Sequence, residues 1–288
     1  MRRFVDLHTH SNASDGAARP AELIEQAERR RLAAVALTDH DTTDGLAEAQ
    51  RAAAQFPGLR FVPGVEVSAK FTGGTMHILG LGIDPESPRL REIIAQLRQA
   101  RDERNPRIIA ALQAMGIRLD MSDVLAAARQ LGGGSTIGRL HIAQALRLVG
   151  CVRTVGEAFD RLIGQGRPAF VDKEHLSPAK VVTAIRDSGG AAVLAHPSQL
   201  NCRNRAQLER VVRGLMRHGL GGIEAYHTDH ADTQTRMYLD LARRLGIGIT
   251  GGSDYHGSAK PDARLGRPRV PLSAIDGPLR EILLPEQT

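Results

Sequence analysis

The chain has 288 residues, 38 basic against 32 acidic side chains, a formal charge of +6, and 42% apolar but only 3% aromatic residues. That length suits one large domain, or one domain carrying an insertion, while no apolar run approaches the ~20 residues of a membrane span and Met1-Arg2-Arg3-Phe4 lacks the apolar stretch of a secretory leader. Two cysteines, Cys151 and Cys202, with no CxxC pair exclude a cysteine-built zinc site and a disulfide scaffold and suit a reducing cytoplasm.

In chain order, residues 4–7 read as a strand and 20–31 as a helix, with Leu23, Ile24, Ala27 and Leu32 at helical spacing and Pro20 near the first turn. A strand at 33–38, a helix at 44–55 and strands at 60–67 and 77–82 follow. Residues 90–112, 122–131, 138–148 and 155–163 then read as helices only, separated by turns at Gly116, Gly132–Gly134 and Gly150. The alternation resumes with a helix at 178–188, a strand at 191–195, a helix at 207–218, a strand at 222–226, a helix at 233–245 and a strand at 248–251. Alternation of this kind predicts a parallel sheet, open or closed into a barrel. The interruption predicts an all-helical insertion, 88–166, packed over the rim of a barrel made from 1–87 and 167–288. The tail after Pro271 shows no pattern.

The predicted strands end in histidine or carboxylate: Asp6-Leu7-His8-Thr9-His10, Thr38-Asp39-His40-Asp41, Gly64-Val65-Glu66, Ala195-His196-Pro197 and Ser253-Asp254-Tyr255-His256. Strand ends of an α/β barrel converge on one rim. Residues two apart in a strand share a side, so His8 with His10, and Asp254 with His256, can each face one ion. Glu66 lies where a carboxylate could bridge two ions. Imidazole mixed with carboxylate, without thiolate, suits Mn²⁺, Fe²⁺ or Zn²⁺. More ligands are offered than one ion can use, which implies two or three ions able to hold a bridging hydroxide and clamp phosphoryl oxygens. Asp15 also reads as a turn former and His77 as an ordinary strand interior. Asp39 and Asp41 read as acceptors that orient His40, with Asp41 also a candidate helix cap.

These segments, with His77, resemble the successive motifs of the PHP (polymerase and histidinol phosphatase) superfamily, in that family's order and over nearly the whole chain outside the insertion. The resemblance implies a distorted (β/α)₇ barrel and a trinuclear centre. By position, one ion would take His8, His10, Glu66 and Asp254, a second Glu66, His77 and His196, and a third Asp15, His40 and His256. Many family members have histidine where this chain has Asp15, and the added carboxylate favours a harder ion such as Mn²⁺.

Arg98, Arg101, Arg104 and Arg107 recur every third residue, either as a solvated basic face or as a phosphate clamp turned towards the ions. Gly138-Arg139-Leu140-His141, at a predicted helix start, offers a second anion site. Together with Glu224-Ala225-Tyr226-His227 these resemble the branch of stand-alone PHP phosphoesterases that remove phosphate from nucleotides, including the 3′-phosphate of nucleoside 3′,5′-bisphosphates, and in some cases trim RNA from its 5′ end. The expectation is a cytoplasmic, metal-dependent phosphomonoesterase acting on such a bisphosphate by attack of a metal-bridging hydroxide. Arg101, Arg104 and Arg139 would hold substrate, and His227 would bind phosphate or protonate the leaving oxygen. Neither a membrane nor an obligate protein partner is inferred.

Three alternatives stand beside it. Histidinol-phosphate phosphatase and 5′-to-3′ exoribonuclease activity would use the same centre. A metal-dependent amidohydrolase often needs a lysine at a strand end, and none of the four lysines reads as so placed. A nucleic-acid-binding module would need aromatic stacking platforms, of which a chain with no Trp, three Tyr and six Phe gives no sign.

Overall fold

Seven strands hydrogen-bond in sequence order and curl until the last meets the first. They are β1 (Phe4–Asp6), β2 (Ala34–Leu37), β3 (Arg60–Ala69), β4 (Met76–Leu81), β5 (Ala191–Leu194), β6 (Gly222–His227) and β7 (Gly248–Gly252), and a short β8 (Val270–Pro271) adds antiparallel to β1. The seam is closed largely by chain just past the strands: Leu7 N–H donates to Gly251 O (3.1 Å), Asp254 N–H to His8 O (2.9 Å) and His10 N–H to Tyr255 O (2.8 Å). This computed structural model describes residues 2–130, 136–172, 176–275 and 277–284. The expected turn at Gly132–Gly134 lies outside the described residues.

The helices are α1 (Pro20–Arg29), α2 (Leu46–Ala53), α3 (Pro88–Ala114), α4 (Met121–Gln130), α5 (Arg139–Leu148), α6 (Val155–Ala158), α7 (Pro178–Asp187), α8 (Arg205–Met216), α9 (Asp232–Leu245) and α10 (Gly277–Leu283). Local chemistry sets their ends. Ser177 Oγ accepts from Lys180 N–H to start α7, Asn204 Oδ1 accepts from Gln207 N–H to start α8, and Gly246 closes α9 at φ +67°. β2 and β5 read AVAL and AAVL and are buried throughout, as strands covered on both faces must be. Among the described residues no helix is long and apolar enough to cross a membrane.

The architecture is the distorted barrel expected, with two departures. The sheet is mixed, because β4 pairs antiparallel with both β3 and β5. Only residues 70–75 separate β3 from β4, too few for the crossover a parallel neighbour needs, so the chain doubles back. The tail is also structured: Leu279 and Leu283 of α10 join Val5, Leu7, Leu79, Leu81 and Val193 in one buried cluster. That packing plugs the barrel at the starts of β6 and β7, opposite the ends that carry the candidate ligands.

From 88 to 163 the described residues form helices only, and α3 straddles two cores. Leu90, Ile93, Ile94 and Leu97 pack into the layer between barrel and helices. Ile108, Ile109 and Leu112 belong to a second cluster with Val124, Ile142, Leu146 and Ile163.

Candidate metal centre

His8 and His10 follow β1, His40 follows β2, Glu66 is within β3, His196 follows β5, and Asp254 and His256 follow β7. His77 lies near the start of β4, and because β4 runs backwards that start falls at the same rim, with His77 paired to Ser68. Glu66 is the hub. Its Oε2 is 3.2 Å from His8 Nε2, 3.2 Å from His10 Nε2 and 3.1 Å from His40 Nδ1, and its Oε1 is 2.7 Å from His77 Nδ1 and 2.8 Å from His196 Nε2. Asp254 Oδ1 is 3.1 Å from His10 Nε2 and 3.5 Å from His8 Nε2, and Asp15 Oδ1 is 3.3 Å from His256 Nε2. Three overlapping groups each keep their ligand atoms within 4.8 Å: His8, His10, Glu66 and Asp254; His40, Glu66 and His77; and His10, Asp15, His40 and His256. All nine expected ligands are therefore brought together, His196 through its contacts with Glu66 and with His77 Nδ1 at 3.3 Å.

The donor set fits divalent cations. His8 Nε2, both nitrogens of His10, His40 Nδ1 and Glu66 Oε2 are buried and make no hydrogen bond of adequate geometry despite their proximity. Leaving one such atom unsatisfied costs about 1–3 kcal/mol, so a cluster of them calls for a shared electrophile. Burial alone would push the Glu66 carboxyl up, but the imidazoles of His40, His77 and His8 hold it well below the usual range, and Asp254 is held down in the same way by His256 and His8. Burial, with His10 and His77 nearby, pushes His40 down to about 3, leaving a neutral imidazole. Burial opposes a proton on His10, yet the carboxylates of Asp254 and Glu66 raise it to about 10, so ions binding here would displace protons.

The supporting layer was only partly legible in the sequence. Glu224, wholly buried in β6, sets His8: its Oε1 is 3.0 Å from His8 Nδ1 while its Oε2 accepts from His196 N–H at 2.7 Å. Burial raises this carboxyl, but His8 and His227 bring it down to about 2, so it stays ionised and leaves His8 Nε2 free for an ion. Glu224→Gln is expected to weaken ion binding about 10–100-fold with the fold intact, read by competition against a chelator; unchanged affinity would remove this role. Asp6 accepts from Ser253 N–H (2.8 Å), Ser253 Oγ–H (2.6 Å) and Gly266 N–H (2.7 Å), and so fixes the residue before Asp254. Asp254 (φ +54°), His196 (φ +20°) and Asp41 (φ +52°) all hold left-handed backbone, strain of a kind that gathers at functional sites. Gly252 is obligatory, since a Cβ there would lie 2.4 Å from His8 N.

The carboxylates beside His40 do other work than expected. Asp39 builds the turn carrying Asp15, accepting from Ser11 N–H (2.8 Å), Ser11 Oγ–H (2.6 Å) and Ser14 Oγ–H (2.5 Å). Asp41 accepts from Ser68 N–H (2.9 Å) and from Arg101 Nε (3.0 Å) and Nη2 (2.5 Å), tying α3 to the barrel.

A cavity of about 1080 Å³ opens over the centre, lined by Asp15, His40, Glu66, His77, His196, Asp254 and His256 on the barrel side and by Arg101, Arg104 and Arg139 on the helical side. Burial and the charges of Arg101 and Arg139 push Arg104 down to about 9, the mark of a cationic site awaiting an anion. Only two of the four periodic arginines arrive. Three-residue steps fall short of a 3.6-residue turn, so Arg98 rotates away to Thr42 and Asp44, and Arg107 is exposed. His141 is occupied at the start of α5, accepting from Gly138 N–H at 3.0 Å.

His227, expected to touch substrate, is placed by the structure in a buried position outside the residues that line the cavity. Its Nδ1 accepts from Asp229 N–H at 3.1 Å, which puts the proton on Nε2, 3.6 Å from Asp254 Oδ2. The lysine expectation fails, because Lys70 directly follows β3 and both Lys70 and Lys260 line the cavity. Lys260, overlooked in the sequence, bridges Asp254 Oδ2 (2.9 Å) and Asp229 Oδ2 (3.2 Å).

The PHP domain model matches residues 6–145. A 3′,5′-nucleoside bisphosphate phosphatase of Chromobacterium violaceum is 37% identical over 88% of this chain and 87% of its own. The chain belongs to the PHP family. Another relative, a 5′-3′ exoribonuclease of Haemophilus influenzae, is 32% identical over 89% of this chain and 91% of its own. Among solved structures, a C. violaceum protein described as an amidohydrolase, holding sulfate and no metal, superposes with a TM-score of 0.86 at 35% identity, covering 96% of this chain and 95% of its own. A Bifidobacterium adolescentis protein assigned as a metal-dependent phosphoesterase superposes at 0.85 with 32% identity, covering 99% and 96%. The matched stretch thus runs from the last residue of β1 through β4 and on into α5.

Proposed function

We propose that this protein is a metal-dependent phosphomonoesterase that removes the 3′-phosphate of nucleoside 3′,5′-bisphosphates. It is a metal-dependent phosphoesterase by family and by site. One observation carries the choice of substrate: the imidazole–carboxylate centre and the guanidiniums of Arg101, Arg104 and Arg139 face the same cavity, which provides for two phosphates at once. The phosphatase relative supports it.

Divalent ions bound by His8, His10, Asp15, His40, Glu66, His77, His196, Asp254 and His256 would supply an activated water and neutralise charge on the phosphoryl oxygens. We assign two or three ions, with Mn²⁺ preferred because Asp15 adds a hard oxygen donor. Glu66 spans the groups and keeps them at one spacing. Arg101, its guanidinium held by Asp41, presents its remaining N–H groups to the second phosphate, and Arg104 and Arg139 complete that grip. Lys260 holds Asp254 in register. The three arginines all come from 88–166, which supports a specificity-bearing helical insertion set in a barrel of 1–87 and 167–288. Action in the cytoplasm belongs to the same reading, supported by two unpaired cysteines.

The test is phosphate release with Mn²⁺ from adenosine 3′,5′-bisphosphate, histidinol phosphate, a short 5′-phosphorylated RNA and an amide panel. Adenosine bisphosphate is expected to show the highest kcat/KM, with activity lost on chelation and restored by Mn²⁺. Preference for histidinol phosphate or amide hydrolysis overturns the reading. Trimming of RNA from its 5′ end is a second reading, favoured by the exoribonuclease relative and by a cavity at the upper end of small-ligand sites.

A further inference from the structure

Aromatic side chains that the composition gave no sign of share the wall of one cavity. Three of the six phenylalanines, Phe71, Phe159 and Phe170, line the cavity, whose wall uses about a tenth of the chain. They come from separate elements. Phe71 lies between β3 and β4 and packs on the barrel layer, Phe159 packs on the helical cluster, and Phe170 lies on the chain returning to the barrel. All three are half-buried, so each keeps part of its ring open to the cavity.

Two features separate this from incidental packing. Phe159 begins a π-helical turn, Phe159–Ile163, closed by Gly164 N–H donating to Phe159 O at 3.0 Å. Such widened turns recur at functional sites. A Cβ on Gly164 would lie 2.3 Å from that same oxygen, so the turn requires glycine, and both of its ends line the cavity. The Arg139 guanidinium, in addition, sits 5.5 Å from the centre of the Phe170 ring, which fixes a cation beside the aromatic wall. A phenyl ring has no polar atom with which to read a hydroxyl or an amine. It selects a flat π-face, and the neighbouring guanidinium selects phosphate.

We infer that Phe71, Phe159 and Phe170 form a nucleobase subsite, beside Arg139, that stacks the base of a nucleotide held at the centre. This deepens the phosphatase reading and rests on it for the nucleotide. Stacking tolerates any base, so the subsite requires a base without choosing among them.

The test is fluorescence titration of the metal-loaded protein with 2-aminopurine riboside 5′-phosphate, displaced by ribose 5-phosphate as the base-free competitor. The nucleotide is expected to bind at least about tenfold tighter than the sugar phosphate, with its emission quenched. Phe71→Leu and Phe159→Leu are each expected to weaken the nucleotide about five- to tenfold and to leave ribose 5-phosphate unchanged, while Phe159→Tyr retains wild-type binding. Equal affinity of wild type for the two compounds overturns the subsite, as do Leu variants that weaken both alike. If the nucleotide still outcompetes the sugar phosphate but adenosine bisphosphate is not hydrolysed, the proposed reaction fails and the subsite stands.

Discussion

Glu66→Gln is expected to lower kcat by roughly 10³-fold or more and to leave the protein short of bound metal. Glutamine keeps the shape of the side chain and removes its charge. Five imidazoles stand within 3.2 Å of the two Glu66 oxygens, and no other carboxylate in the centre touches so many. Beside those rings an amide offers one weak acceptor and two donors, and the donors would point where cations belong. The groups Glu66 joins would separate, so metal content measured by mass spectrometry should fall with the rate while circular dichroism stays native. Chelated wild type should recover on adding Mn²⁺, and the variant should not. A variant with full metal content and a rate within tenfold of wild type would end the assignment of Glu66 as the bridging group. Asp254→Ala and His8→Ala should lose turnover in the same way.

Arg104→Met is expected to reduce kcat/KM for adenosine 3′,5′-bisphosphate about 100-fold and to leave nucleoside 3′-monophosphates nearly unaffected. Two charge-assisted hydrogen bonds to a phosphate, at about 1.5–3 kcal/mol each in protein series, account for that size. Arg104 is 4% exposed, its side-chain bonds among the described residues run to Asn105 Oδ1, at 3.2 and 2.7 Å, and the charges of Asp41 and Asp172 offset less of its cost than burial and the two neighbouring arginines add. Burial first, then Arg101 and Arg139, lower its pKa to about 9 in the substrate-free protein. The sign follows for stability. The unfolded guanidinium keeps its ordinary value, so holding the charge inside costs the folded state at every pH below about 9. Removing it should let the thermal midpoint hold or rise while the bisphosphate is bound less well. Equal losses for bisphosphate and monophosphate would place Arg104 in general support of the fold.

The residues of the centre were legible in the sequence, though partly for the wrong local reason. Strand alternation was to set His8 beside His10 and Asp254 beside His256. The ladder, however, ends at Asp6 on one side and Gly252 on the other, and Asp254 turns into left-handed backbone. What brings the four together is the pairing of two post-strand segments, held through Asp6 and Ser253, a contact across 247 positions that no local pattern reveals. His77 looked like a strand interior because it is one, and only the reversal of β4 carries it to the rim. Of the row of arginines, Arg101 and Arg104, the two expected to hold substrate, do line the cavity while helical drift turns Arg98 and Arg107 aside, and His227 lies buried because a position just at a strand end does not say whether a ring faces up or in. Glu224 did leave a trace. A carboxylate in the apolar run Gly222-Ile223-Glu224-Ala225 must be paired when buried, and that demand could have pointed to His8. The phenylalanines left none, since residues 71, 159 and 170 share no period.

Helix α3, 27 residues and about 40 Å long, is anchored in one core at its start and another at its end, with Arg101 and Arg104 between. Clamped at both ends and pinned in its middle by Asp41, it works as a caliper. The gap between its arginines and the barrel rim is thereby preset, and under the proposed reaction the enzyme would gauge how far apart two phosphates stand. Compounds whose phosphates lie adjacent in one chain should fall between the jaws, while those that straddle a ribose should fill them.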